Sequence, residues 1–179
     1  CQTCFFACAK RAEAPLFDAL YLVCDDLADE EAGLSSFGAE IVKTQEILQA
    51  VQEGAFCLIA LDEPARGTNP REGAALVQAL VEQLSQQQTV AVIATHYDGV
   101  SARAQAHYQA AGLSSMPDAP PDGDRLAFVA KHMNYGLVRV QADEKAPNEA
   151  LHISRLLGLD ARVLDRMEAL LRDADAQHT

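Results

Sequence analysis

At 179 residues, 49% of them hydrophobic, the chain carries enough apolar material for one well-buried domain and a small appendage. Fourteen Lys and Arg against 26 Asp and Glu leave a formal charge of -12, which repels a phosphate backbone and argues against direct nucleic-acid binding by this segment. No apolar run approaches the roughly 20 residues that span a bilayer, and the first residues lack the basic start, apolar middle and cleavage site of an export signal, so no membrane role is expected.

Three of the five cysteines crowd at Cys1, Cys4 and Cys8. An odd cysteine count fits a reducing, cytoplasmic compartment better than a disulfide scaffold. The CxxC-x3-C spacing has no fourth ligand close by and sits beside Phe5, Phe6 and Ala7, so it reads as small buried thiols rather than a metal site. Ala19 to Cys24 is a short strand running into the acidic loop "DDLADEEAGL". A helix follows, capped by Ser35 or Ser36, with Ile41, Ile47, Leu48 and Val51 at helical spacing until Gly54. Phe56 to Leu61 is a continuous apolar run, as in the buried centre of a parallel sheet. Beyond the bend at Gly67 to Pro70, Ala74, Leu76, Val77, Leu80, Val81 and Leu84 mark an amphipathic helix, and Thr89 to Thr95 is the next strand. Strand, helix and strand alternate with short links, the pattern of a right-handed parallel α/β unit with its site at the carboxyl ends of the strands.

The Pro-, Gly- and Asp-rich stretch Ser114 to Asp124 reads as a surface loop. Leu126 to Lys131 and Leu137 to Gln141 are expected to be two strands of an antiparallel hairpin at the sheet edge. Asn148 to Ala174 reads as two helices broken at Gly158-Leu159-Asp160, with Asp160 as a cap.

The chemistry concentrates where the central strand ends. Asp62 and Glu63 are adjacent carboxylates at the tip of an apolar strand, followed at once by Pro64. Such acids are costly to desolvate unless a cation or a reacting water compensates them. The next strand ends in Thr95-His96, so an imidazole is expected at the neighbouring tip. One acid can hold Mg²⁺, the second can orient or deprotonate a water, and the histidine can reach a γ-phosphate.

On the words "PLFDALYLV", "DDLA", "SSFGAEI", "LIALDEPARGTNPREGAALV", "IATHYDGV" and "NEALHISRLLGLDARVLDRMEALL", in that order, the chain resembles the ATPase domain of the MutS family, relatives of the ABC-type ATPases. The resemblance implies a P-loop NTPase-like α/β fold with a parallel-sheet core, helices on both faces, an edge hairpin and a C-terminal helical pair. It also implies ATP and Mg²⁺ as ligands, with Asp62 as the Walker B acid, Glu63 as the catalytic base and His96 as the switch histidine. Ser35, with Ser36 beside it, would be the signature serine reaching the ATP of a partner subunit, and Gly67, Thr68 and Asn69 would lie along a homodimer interface. Residues 1–145 would form a partial ATPase core and 146–179 a helical dimerisation segment.

No G-x4-G-K-[ST] loop occurs, so the backbone cradle and lysine for the phosphates are missing. In the family that loop lies upstream of the region matching Cys1; the expectation is a carboxyl-terminal part of the ATPase domain that binds ATP poorly by itself. Pro64-Ala65 stands where DNA-repair members more usually have Ile-Gly or Leu-Gly, and the loop before Ser35 is longer and more acidic than the family's. The "DEPARGTNP" wording is similar to MutS-like ATPases that accompany cobalamin-dependent aminomutases as reactivases. Two other functions stand beside that one: a DNA mismatch-repair or recombination ATPase, its DNA held by domains outside this chain, and a non-catalytic interaction domain that lost nucleotide binding.

Overall fold

The run "CLIALD" forms the central strand. The computed structural model describes residues 10–24, 36–113, 123–141 and 149–177. In it, β1 (Ala19–Val23), β2 (Cys57–Asp62) and β3 (Val90–Ala94) make a parallel sheet in the order β1-β2-β3. The register sets Leu58 between Leu20 and Val90, and Asp62 opposite Ala94. Side chains alternate across a strand, so Cys57, Ile59 and Leu61 share one face, and each is at most 3% exposed. Onto that face pack Ile47 and Val51 of α1 (Ser36–Gln52) and Leu80 and Leu84 of α2 (Pro70–Ser85). Leu20, Leu22, Val90 and Val92 on the other face are exposed, so among the described residues the covering helices lie on one side of the sheet.

Helix α2 starts where its chemistry says it should. Asn69 Oδ1 accepts from the Arg71 N–H at 2.9 Å, and Pro70, which has no N–H to leave unpaired, takes the first helical position. Its inward residues Val77 and Val81 form a second apolar cluster with Ala65 and Val100, next to the ends of β2 and β3.

The chain divides into two compact units, Cys1–Ala106 and His107–Thr179. The division expected near residue 145 falls in 142–148, outside the described residues, as do Cys1, Cys4 and Cys8. Cys24 and Cys57 are free thiols. Burial pushes the Cys57 thiol up, with the charge of Asp18 adding to it, which marks an inert structural cysteine.

In the second unit the antiparallel pair differs from the expected hairpin. Arg125–His132 is a helix, α3, and the strand β5 (Met133–Val140) pairs instead with β4 (His107–Leu113), in a two-stranded sheet of its own. A cap decides this: Asp124 Oδ1 accepts from the Ala127 N–H at 3.1 Å and starts a helix through Leu126–Lys131. The residues in β4, "HYQAAGL", carry little strand preference, and their pairing comes from the partner. Gly112 sits at a bulge in β4 with φ 70°, and the Glu149 carboxylate that accepts from Leu113 N–H at 2.7 Å occupies the space a Cβ would need.

Helices α4 (Glu149–Leu157) and α5 (Ala161–Gln177) flank the expected break, and Asp160 Oδ1 accepts from the Arg162 N–H at 3.0 Å. The Arg162 guanidinium first, and then its backbone N–H, hold the Asp160 carboxyl below the usual carboxylate range. A depressed pKa contributes stability above the unfolded value, about 3.9, and loses it as pH falls through the folded value. The stability difference between the native chain and Asp160→Asn is therefore expected to stay constant from neutral pH down to about pH 5 and to narrow below about pH 4. Urea unfolding at stepped pH checks this; a difference that widens on acidification would contradict it.

Candidate functional site

Parallel pairing brings the two expected tips together. The Glu63 N–H donates to Ala94 O at 2.9 Å, extending the β2–β3 ladder by one residue, and His96 lies two positions beyond Ala94. His96 Nδ1 meets Glu63 Oε2 at 2.5 Å. An ionised carboxylate can only accept, so Nδ1 carries the shared proton and Nε2 is left for another partner. The histidine side chain is 67% exposed and that of Glu63 34%, so the pair opens to solvent. Asp62 is exposed, and among the described residues no hydrogen bond or ion pair engages its carboxylate.

The turn after Asp62 is held in an uncommon shape. Glu63 has φ 49° and Ala65 φ 65°. A side chain in this left-handed region costs about 1–2 kcal/mol per residue, and two such residues flank the buried Pro64. The compensation is at Ala65, itself 0% exposed. Its N–H donates to Glu40 Oε1 at 2.6 Å, and its carbonyl accepts from Tyr97 Oη at 2.9 Å and from the Thr68 N–H at 3.3 Å. Gly73 makes room for that hydroxyl: a Cβ there would meet Tyr97 Oη at 2.6 Å and Ala65 O at 3.1 Å.

Of the expected site residues, Asp62, Glu63 and His96 therefore share one rim. Asn69 spends its side chain on the α2 cap, Thr68 is half-buried, and Gly67 and Arg66 are exposed. Ser35 lies outside the described residues, and Ser36 opens α1. Sequence reasoning missed Glu40, Gly73 and the hydroxyl of Tyr97. The one available signal was Ala65 standing where the family resemblance implies glycine, since an alanine in the left-handed region needs outside support.

Among the described residues no three His, Cys, Asp or Glu side chains cluster to hold a metal on their own. A single unengaged carboxylate at a strand tip fits Mg²⁺, which keeps several waters and takes one or two carboxylates plus phosphate oxygens. No helix of the described residues is long and apolar enough to cross a membrane.

The family model of MutS domain V matches residues 1–173. The chain belongs to the MutS family, as its domain V. That domain has a P-loop ATPase-like fold, in keeping with the parallel sheet and its flanking helices. The chain is 31% identical over 172 residues to a DNA mismatch repair protein MutS of Thermus thermophilus, covering 93% of the chain and 19% of that protein. It is 27% identical over 174 residues to an endonuclease MutS2 of Carboxydothermus hydrogenoformans, covering 96% of the chain and 20% of that protein. A Thermus thermophilus endonuclease MutS2 is 31% identical over 170 residues, covering 95% and 21%. This domain V thus spans about a fifth of the length of the relatives it matches.

Proposed function

We propose that this domain V supplies the hydrolytic edge of an ATPase that works on DNA as a dimer. The observation that carries this is the Glu63–His96 hydrogen bond beside an unengaged Asp62 at neighbouring tips of a parallel sheet. Asp62 would hold Mg²⁺ through its water shell, and the ion, when bound, offsets charge on the β- and γ-phosphates. Glu63 takes the proton of the attacking water as the water oxygen bonds to the γ-phosphorus, and the bridging oxygen leaves with ADP. His96 orients Glu63 through Nδ1 and offers Nε2 to a γ-phosphate oxygen. Ser35 of a second subunit would complete the site, with Gly67, Thr68 and Asn69 along the shared surface.

The names of the relatives, a DNA mismatch repair protein and an endonuclease, support DNA as the client of the full-length protein. The charge of -12 favours a second reading, a protein client such as an inactivated cobalamin-dependent aminomutase, and assigns any DNA contact to regions outside this chain. ATP turnover by the full-length protein, measured alone, with duplex DNA and with inactivated aminomutase, separates them. Stimulation by duplex DNA is expected. Stimulation by the aminomutase alone would replace that reading, and a basal rate of zero in all three would sink the ATPase itself.

A further inference from the structure

We propose that Glu40 and Tyr97 are positioning residues for ATP turnover, clamping the backbone of Ala65 on both sides of its Cα so that the left-handed turn aims Glu63 at His96. The inference rests on the ATPase reading of the site. Glu40 comes from α1 and Tyr97 from the segment after β3, so two elements distant in sequence each take one backbone group of the same buried residue, on either side of its Cα. With the N–H on Glu40 and the carbonyl on Tyr97, Ala65 has neither group free to rotate towards an ordinary right-handed or extended conformation. Glu63 lies two residues back, also at positive φ, and Pro64 between them transmits rather than absorbs rotation because its own φ is locked. The Tyr97 hydroxyl serves this clamp in the space that Gly73 leaves, and it sits on the residue next to His96. Ala65 therefore ties the turn that carries Glu63 both to α1 and to the segment that carries His96.

A misplacement of a catalytic group by about 1 Å can cost on the order of a hundredfold in rate without touching ground-state binding. In the full-length protein, Glu40→Ala is expected to lower kcat about tenfold or more, with KM for ATP unchanged. Glu40→Gln keeps an acceptor oxygen for the Ala65 N–H and should retain most of the rate. Adding Ala65→Gly to Glu40→Ala should restore much of kcat, because glycine adopts positive φ without a clamp. Should Glu40→Ala fail to fold, Tyr97→Phe removes one hydroxyl and is expected to show the same fall in kcat. Wild-type kcat in Glu40→Ala, equal losses in the Ala and Gln variants, or no recovery with Ala65→Gly would overturn the clamp. Glu63→Gln, run alongside, keeps the two ideas apart: full turnover there sinks the reading of Glu63 as base, whereas lost turnover there with normal Glu40→Ala sinks only the clamp.

Discussion

Replacing Glu63 by glutamine in the full-length protein is expected to lower ATP turnover about 10²–10⁴-fold while leaving nucleotide binding intact. The substitution is nearly isosteric, and a glutamine carbonyl still accepts from His96 Nδ1, so the geometry of the rim is kept and only the proton acceptor is removed. Single-turnover phosphate release together with nucleotide binding reads the two quantities separately. Asp62→Asn makes the complementary change, since it weakens the hold on the cation rather than the base; its deficit should be partly recovered at raised Mg²⁺, whereas that of Glu63→Gln should not. A Glu63→Gln protein that turns over ATP at the native rate would remove Glu63 as the base from the mechanism.

The second large effect concerns stability. Ile59 is wholly buried in the middle strand, in one cluster with Ile47 and Val51 of α1 and Leu80 and Leu84 of α2. Ile59→Ala deletes three carbons where both helices meet the sheet, and is expected to destabilise by about 2–5 kcal/mol through lost burial and the cavity left behind. Urea unfolding should show a lower midpoint with an unchanged slope. A shift worth less than about 1 kcal/mol would mean that the helices collapse onto the strand and that this face is not closely packed.

The parallel unit was legible because its signals are local and agree with one another. "CLIAL" is apolar throughout, Asn69-Pro70 is a cap followed by a first-turn proline, and "VAVIA" is β-branched at Val90, Val92 and Ile93. The second unit was less legible for the same reason. Leu126 to Lys131 has apolar residues that fit either period, and the Asp124 side chain on the Ala127 N–H, rather than hydrophobic pattern, makes it a helix. The strand His107–Leu113 has small residues at Ala110, Ala111 and Gly112, and its extended form comes from a partner strand that pattern reading had paired with another segment.

The sequence by itself determined the alternation of strand and helix, the two acids at one strand end and the histidine at the next, because each depends on a few neighbouring residues and on the short reach of a parallel crossover. Only the tertiary structure decided how Glu63 is aimed. Its direction depends on an alanine held at positive φ by a carboxylate from α1 and a hydroxyl beyond β3. A backbone conformation that costs energy locally is set by whatever distant groups stabilise it, and those become neighbours only when the chain is folded.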